Sequence, residues 1–305
     1  MLTNISPEQL EKAVCAHCND APARRLFDIR GFVFWQCESC DMRFVSPRLK
    51  SNTLTELYSE PSYYKSDNST HHGYVDYVSD RKNIIATFDK RFRWMERHAA
   101  IGQRRKLLDV GCATGFAVEH ALQQGWDAYG LETSRYAVDV ARKRLGDRIQ
   151  AGTLDNFLFP PSSFQMILLW DVIEHLPYPQ KALQQIYSFL EPGGWLSVIT
   201  PDYGSPLAQL MGRFWMEYAK PTEHIYFYSR KVLKKALIQS GFDVIASSTA
   251  GKHVGLDFLL DRFSSLFPPA RSFRKLVTQS QLSKLRVYIN PGDKLFLLVQ
   301  KPPAH

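Results

Sequence analysis

Residues 106–115, KLLDVGCATG, decide the fold of this chain. An apolar run, KLLDV, is followed at once by a loop with glycines at positions 111 and 115. Glycine adopts left-handed backbone conformations without strain and lets a ligand approach the backbone closely. A helical period over 115–124 follows, so the first amides of that helix point toward the loop. The stretch predicts a buried strand, a ligand-binding turn and a helix.

The same alternation continues downstream. Short apolar runs lie at 126–132, 164–171 and 195–200, and helical periods lie at 134–145 and 179–190. Strand and helix in alternation predict a doubly wound α/β fold, a mainly parallel sheet with helices on both faces. A helix over 229–240 then leads to FDVIASST (242–249) and KLFLLVQK (294–301), which we expect to pair as antiparallel edge strands. Residues 251–290 are expected to form a mainly helical insert.

Four cysteines near the N-terminus have the spacing of a metal site. They fall as two Cys-x2-Cys pairs, Cys15 with Cys18 and Cys37 with Cys40. The segment LFDIRGFVFWQC (26–37) predicts a hairpin that turns at Arg30-Gly31 and brings the pairs together. Four thiolates would close a tetrahedron around a structural Zn²⁺ and leave no open position for a catalytic water. Two redox-active pairs are the alternative, although no βαβ pattern surrounds either pair.

The spacing of the cysteines and of the apolar residues predicts three parts of the chain. We expect a zinc ribbon over 1–50. A Tyr-rich segment and an amphipathic helix are expected over 51–105, as a linker or lid, with a short helix in TLTELYS (53–59) and the longer one over 78–100. The α/β domain is expected over 106–305.

Two acidic residues limit which ligand the glycine loop can bind. The loop is not a GxGxxG dinucleotide site, because Ala113 occupies its second position, and no Gly-Lys-Ser/Thr follows as in a P-loop. Asp109 would repel a pyrophosphate and attract an ammonium group. Glu132, at the end of the next strand, is placed to accept both ribose hydroxyls. A cationic amino-acid nucleoside, S-adenosylmethionine, satisfies both carboxylates.

Ordered motifs from about residue 106 to 250 resemble the class I S-adenosylmethionine-dependent methyltransferases, in particular their UbiG-like group of the methyltransferase-23 type. The motifs are LLDVGCATG (107–115), LE (131–132), GTLDNF (152–157), WDVIEHLPYP (170–179), EPGGWLSVITP (191–201) and PTEHIYFYS (221–229). The resemblance implies a Rossmann-like fold. The CxxC…CxxC beginning, followed by MRFVSPR, is similar to a subset of these enzymes that carries an N-terminal zinc ribbon.

The resemblance also implies roles for individual residues. Gly111, Ala113 and Gly115 would line the methionine and ribose, Glu132 would hold the ribose hydroxyls, and Leu154 and Asp155 would border the adenine. The chain departs from the family in two places: Gln165 follows Phe164 where aspartate is usual, and Ala113 replaces a common glycine.

Two histidines are candidates for the chemistry. Methyl transfer to a hydroxyl gains from a general base, and a histidine titrates in the useful range. His175 follows the fourth strand and His224, preceded by Glu223, follows the fifth, both at the carboxyl edge of the sheet where ligands bind. Either histidine could instead brace its loop. Asp171 is expected to be a cofactor-side or loop-bracing carboxylate.

Composition and charge limit the class of protein. The chain has 305 residues, of which 45% are hydrophobic and 22% charged, as in ordinary globular proteins. It holds no apolar run of 18 residues and no basic-then-apolar leader, so we expect a cytoplasmic protein without a transmembrane segment. The net charge of +8 is concentrated in residues 81–106 and 251–305. That distribution fits an anionic partner, or simply solvated helix faces.

These observations leave several functions open. Enzymes of the ribbon-bearing subset suggest O-methylation of a sugar, a nucleotide-linked sugar or a glycan precursor. An RNA methyltransferase that binds phosphates with the ribbon and the basic helix is a second candidate, and a scaffold with a vestigial methyltransferase fold is a third. A lipid or quinone acceptor is a minor alternative. A basic amphipathic stretch within 251–290 would also allow peripheral membrane contact.

Overall fold

The computed structural model describes residues 5–19, 21–54, 80–103, 105–157, 159–256 and 285–304. The tyrosines expected to form a lid, the second part of the TLTELYS segment and the middle of the 251–290 insert lie outside the described residues. The suggested membrane contact falls on that insert and also lies outside them. Residues 51–54 are helical.

The N-terminal part is built from short strands. They are β1 (Leu10–Glu11), β2 (Ala23–Ile29), β3 (Phe32–Cys37), β4 (Arg43–Val45) and β5 (Arg48–Leu49). Strands β2 and β3 form the hairpin predicted around Arg30-Gly31, and both turn residues have positive φ. Helix α1 (Arg81–His98) follows, close to the bounds that its amphipathic period predicts.

Strands and helices then alternate along the chain. The strands are β6 (Lys106–Val110), β7 (Asp127–Glu132), β8 (Ile149–Ala151), β9 (Phe164–Trp170), β10 (Leu190–Pro201), β11 (Tyr226–Phe227), β12 (Asp243–Thr249), β13 (Lys252–Gly255), β14 (Arg286–Ile289) and β15 (Lys294–Gln300). The helices are α2 (Phe116–Gln123), α3 (Arg135–Leu145), α4 (Pro179–Phe189), α5 (Pro206–Met211) and α6 (Arg230–Gln239). Single 3₁₀ turns occur at Pro7–Gln9, Gly146–Arg148, Leu154–Asn156, Ile173–His175, Gly212–Phe214 and Met216–Ala219.

Seven strands form the central sheet in the order β12-β15-β10-β9-β6-β7-β8. All neighbours among β10, β9, β6, β7 and β8 are parallel, whereas β15 runs antiparallel to both β10 and β12. The predicted α/β class is therefore confirmed. Successive strands step outward from β6 to β8, and the chain then returns to β9 on the other side of β6. Such a reversal opens a crevice at the carboxyl ends of β6 and β9.

Apolar side chains cover both faces of this sheet. One buried cluster includes Leu108, Ile167, Val198 and Leu297 and extends to helices α4 and α6. The other includes Leu107, Leu168, Ile199 and Leu298 and packs against α1 and α2. Alternate residues of each strand thus point to opposite faces, and both faces are apolar because helices cover both.

The cysteine ribbon is joined to the α/β part through a shared sheet. Strand β11, which lies between α5 and α6 in sequence, pairs antiparallel with β4, so the ribbon sheet has the order β11-β4-β3-β2. Cys15, Cys37 and Cys40 belong to the same buried cluster as the central-sheet residues Leu108 and Val198. The ribbon therefore packs as an extension of the domain core.

Three expectations need correction or addition. The 251–290 insert begins and ends with strands, because β13 and β14 pair antiparallel, so the helical expectation is wrong at both described ends. Strands β12 and β15 pair as expected, but only β12 is an edge, because β15 lies between β12 and β10. Strand β8 has three residues, too few to show a periodicity, and was not predicted.

The glycine loop has a backbone that few residues tolerate. Gly111 has a φ of +73°, and a Cβ built there would lie 2.5 Å from Cγ2 of Val172. Gly125, in the turn after α2, has a φ of +81° but nothing within 4 Å of a built Cβ. Gly111 is therefore needed both for its conformation and for close packing against the segment after β9.

These two glycines allow a matched test. Gly125→Ala should cost about 1–2 kcal/mol of unfolding free energy from left-handed strain alone. Gly111→Ala should cost about 2–5 kcal/mol, because the clash with Val172 adds to the strain. Urea unfolding of both variants measures the difference. Equal losses would show that Val172 moves aside freely.

Candidate cofactor and acceptor site

The carboxylate of Glu132 ties two segments at the crevice together. Its Oε2 accepts a hydrogen bond from the Ala113 amide at 2.8 Å, and its Oε1 accepts one from the Ser134 amide at 2.8 Å. Only 6% of the residue is exposed, and burial raises its pKa against the effect of these amides. Glu132 therefore shapes the glycine loop from the end of the neighbouring strand.

Asp109 brings a second buried carboxyl to the same place. It lies on β6, is 5% exposed, and its pKa is raised to about 8 by burial and by the charge of Glu132. The charge of Arg91, from α1, acts in the opposite direction. A site in which two buried carboxyls approach each other is prepared for a cationic ligand.

Arg91 is a residue that the sequence analysis missed. Its guanidinium carbon lies 5.2 Å from the Trp170 ring centroid, and its charge acts on Asp109 and on Asp171. Its Nε is buried and makes no hydrogen bond with any described residue. An anionic ligand group would satisfy such a nitrogen.

The two residues expected beside the adenine differ in their surroundings. Leu154 is 9% exposed and belongs to the core cluster. The side chain of Asp155 is 59% exposed; it lies 2.6 Å from Lys181 Nζ and accepts a hydrogen bond from Gln185 at 2.8 Å. The hydrogen bonds with these two residues of α4 lower the pKa of Asp155.

A half-buried ion pair lies at the end of β9. Asp171 has a φ of +56°, and its Oδ1 lies 2.5 Å from Nζ of Lys294. Burial alone would raise the pKa of Asp171, but the charges of Lys294 and Arg91 hold it below its ordinary value. Lys294 is the first residue of β15, so the antiparallel strand brings its start to the carboxyl edge of the parallel strands. Asp171, expected at the cofactor or in its loop, is thus engaged by a residue that the sequence analysis did not identify.

The three candidate catalytic residues lie together on this edge. The His175 ring packs edge-on against His224, with centroids 4.7 Å apart. His175 Nδ1 lies 2.9 Å from the backbone carbonyl oxygen of Glu223. A carbonyl only accepts, so Nδ1 carries the proton and Nε2 carries the lone pair of the neutral ring. The arrangement provides a nitrogen that can accept a proton.

Both histidines are held neutral. Burial lowers the pKa of His175, although Glu223 opposes this shift. Burial and the charges of His175, Lys220 and Lys294 lower the pKa of His224 well below its usual range. His224 Nδ1 is 3.4 Å from Glu217 Oε2, without the geometry of a hydrogen bond. A neutral imidazole at pH 7 is the form a general base requires.

The four ribbon cysteines converge on one point. Their sulfur atoms all lie within 4.8 Å of one another, and the sulfurs of Cys15 and Cys40 are 3.4 Å apart. Each pair is held in a tight turn, with Asn19 N donating to Cys15 O and Asp41 N to Cys37 O. Burial raises the pKa of Cys15 to about 11, so a thiolate there needs a cation beside it. The donor set and its compactness fit Zn²⁺.

The basic helix α1 is largely engaged by the chain itself. Arg81 pairs with Glu119, Arg93 lies 2.5 Å from Asp89, and Arg105, beyond the helix, lies 2.9 Å from Glu96. Lys90 Nζ lies 3.3 Å from the Tyr288 ring centroid. These contacts favour the solvated-face interpretation of this segment over an RNA-binding surface.

Asp109 gives the structure a pH dependence. Its raised pKa means that the unfolded chain loses this proton at lower pH than the folded chain. The carboxyl therefore destabilises the fold progressively as pH rises from about 4 to about 8. Asp109→Asn should gain stability relative to the parent chain between pH 5 and pH 8. The exposed Asp147→Asn serves as the control for urea unfolding at both pH values. A pH-independent difference for Asp109→Asn would contradict the buried, protonated carboxyl.

Comparison with known proteins agrees with this geometry. A family model described as a methyltransferase domain matches residues 79–247, more than half of the chain. The chain is 28% identical over 115 residues to a ubiquinone biosynthesis O-methyltransferase of Paraburkholderia phymatum, covering 35% of this chain and 48% of that protein. It is 21% identical over 204 residues to the enzyme of the same name from Azoarcus sp., covering 62% and 86%. The chain spans about half the length of several such relatives.

Solved structures show the same fold at low identity. A chain from a complex that contains the Trm112 methyltransferase activator of Haloferax volcanii superposes with a TM-score of 0.51 at 17% identity, covering 74% of this chain and 95% of that one. The BH2331 protein of Bacillus halodurans gives 0.50 at 14% identity, covering 71% and 99%. Within the described residues, no helix is both long and apolar enough to cross a membrane. The chain belongs to the methyltransferase domain family.

Proposed function

We propose that this chain is an S-adenosylmethionine-dependent methyltransferase that transfers the methyl group to a hydroxyl of a small-molecule acceptor. A sugar, a nucleotide-linked sugar or a glycan precursor is the first candidate. The pair of neutral histidines at the carboxyl edge carries this proposal. A hydroxyl must lose its proton as it is methylated, and His175 Nε2 offers a lone pair for it. Positive charges of Lys220 and Lys294 act on His224, which suits an acceptor with an anionic group.

The residues at the crevice suit S-adenosylmethionine, which supplies a methyl group already activated on a sulfonium sulfur. Glu132 would accept the ribose hydroxyls, and Asp109, which would lose its proton beside a cation, would complement an ammonium group. Arg91, with its unpartnered buried Nε, is placed to hold a carboxylate. Gly111, Ala113 and Gly115 form the loop between them, and Leu154 is a candidate for contact with the adenine. The chain's task is then to align acceptor and donor and to accept one proton.

The names of the relatives support a second candidate acceptor. Several are ubiquinone biosynthesis O-methyltransferases, so a ring hydroxyl of a quinone precursor is the alternative. A quinone precursor would give its proton to the same histidine, but its polarity differs from that of a sugar. An RNA acceptor and a non-catalytic scaffold are less well supported, because α1 is engaged internally and the family is enzymatic.

Methyl-labelled S-adenosylmethionine identifies the acceptor. The purified protein is incubated with an extract divided into soluble-glycan and nucleotide, lipid and RNA fractions, and Glu132→Ala is the blank. We expect label in the soluble fraction, lost in the variant because the loop support and the ribose partner are both removed.

The other outcomes are equally specific. Label in the lipid fraction would favour a quinone precursor, and label sensitive to ribonuclease would overturn the small-molecule proposal. If no fraction is labelled and the protein also fails to bind the cofactor in a titration, the non-catalytic scaffold would be favoured.

We also propose that Cys15, Cys18, Cys37 and Cys40 hold a structural Zn²⁺. A fully thiolate-bound ion leaves no open position for chemistry, so its contribution is to folding. The ribbon strand β4 pairs with β11, two residues after His224. Zinc would therefore stabilise the segment that carries Glu223 and His224.

Metal analysis of two cysteine variants tests this site. The parent protein should contain one Zn²⁺ per chain by atomic emission. Cys40→Ser should lose most of it and melt at a lower temperature. Cys112→Ser, a buried cysteine outside the cluster, should keep the full content. Retention of zinc by Cys40→Ser, or equal loss from both variants, would contradict the assignment.

A further inference from the structure

Glu174 has one carboxylate oxygen that the described structure leaves without a partner. The residue lies in the Ile173–His175 turn and is 1% exposed. Its Oε2 accepts a hydrogen bond from the Thr200 hydroxyl at 2.9 Å, while Oε1 is buried and makes no hydrogen bond. An unsatisfied buried acceptor destabilises the fold, so its retention calls for a functional explanation.

The two candidate bases, His175 and His224, lie close to this carboxyl. One ligand atom each of Glu174, His175 and His224 lies within 4.8 Å of the other two. The Nδ1 of His224 is also buried without a hydrogen bond. Two unpartnered polar atoms, one acceptor and one imidazole nitrogen, thus occur in the same compact group.

Charged groups face the cluster from several segments, and one of them is Glu217, whose Oε2 lies 3.4 Å from His224 Nδ1. Asp171 and Lys294 act on Glu174, from the end of β9 and from β15. Glu223 and Lys220 act on His175, and Lys220 and Lys294 act on His224. Tyr228, fully buried with an unpartnered hydroxyl, is also influenced by Glu174. Lys294 also contacts Asp171, so its charge is shared between the two carboxyls.

We propose that Glu174 is a positioning residue of the methyl transfer, whose carboxylate stabilises the imidazolium that forms on the His175–His224 pair. This inference rests on the proposed O-methylation. In the step, a bond forms between the acceptor oxygen and the methyl carbon, and the carbon–sulfur bond breaks with its electron pair moving to sulfur. The acceptor proton moves to Nε2 of His175. The positive charge lost from sulfur thus reappears on the imidazole, beside Glu174.

The ionisation of Glu174 makes this role measurable. Burial and the charge of Asp171 raise the pKa of Glu174 to about 8, and Lys294 opposes the shift. Below that pH the carboxyl is protonated and offers little stabilisation to an imidazolium; above it the carboxylate is available. The electrostatic environment of both histidines should therefore change with a midpoint near pH 8. The histidines themselves do not titrate there, because their own pKa values are lowered.

Nuclear magnetic resonance of ¹⁵N-histidine-labelled protein tests the coupling without any acceptor. His175→Gln and His224→Gln assign the two rings. We expect both ring signals to shift with a midpoint near pH 8 in the parent protein, to lose this step in Glu174→Gln, and to keep it in Asp147→Asn. Absence of the step in the parent, or its persistence in Glu174→Gln, would overturn the proposal.

A second readout follows catalysis above pH 8, where Glu174 is ionised, with the labelled fraction as acceptor. There Glu174→Gln should lower kcat by about tenfold or more while the cofactor KM stays within twofold, and Glu174→Asp should recover part of the rate. An unchanged kcat would overturn the role in catalysis. Saturable shifts of both histidines on adding Mg²⁺, absent in Glu174→Gln, would also overturn it by assigning the cluster to metal binding. If no fraction accepts label, O-methylation fails separately, and the ¹⁵N titration still decides whether Glu174 is coupled to the histidines.

Discussion

The reversal of strand order between β6 and β9 is the constraint on which the rest of the site depends. Because β7 and β8 lie on one side of β6 and β9 on the other, the loops that leave β6 and β9 diverge and leave a crevice. Gly111 packs against Val172 across it, so the two loops are positioned by direct contact. Glu132 then ties the glycine loop to the end of β7 through two amides. The cofactor side of the site follows from these three contacts.

The acceptor side is assembled from more distant parts of the chain. The segment with Glu223 and His224 is held between the Ile173–His175 turn and the ribbon: Ile225 N donates to Glu174 O, and β11 pairs with β4. Further contacts join the ribbon to the domain, among them Arg48 with the Tyr226 hydroxyl at 2.9 Å and Tyr203 with the Asp41 carbonyl at 2.6 Å. The ribbon thus supports the segment that carries Glu223 and His224.

Local patterns predicted the parts of the molecule that local forces determine. The glycine loop, the helix after it and the position of Glu132 follow from spacing within about 30 residues, and the structure brings them together. The Arg30-Gly31 hairpin is equally local. Lys294 and Arg91 could not be placed in this way, because their positions depend on strand order and on the packing of α1 over the sheet. Strand pairing over a long sequence separation also decided the described ends of the 251–290 segment, where β13 and β14 pair with each other.

The antiparallel strand β15 has a consequence for how the protein is made. It inserts between β10 and β12, two strands that are complete well before it leaves the ribosome. Until then both strands present unpaired backbone edges, which attract other chains as readily as the missing strand. Lys294 arrives with the same strand, so the ion pair with Asp171 forms only when the sheet closes. Insertion of β15 into the sheet and formation of the Lys294–Asp171 ion pair are therefore one event.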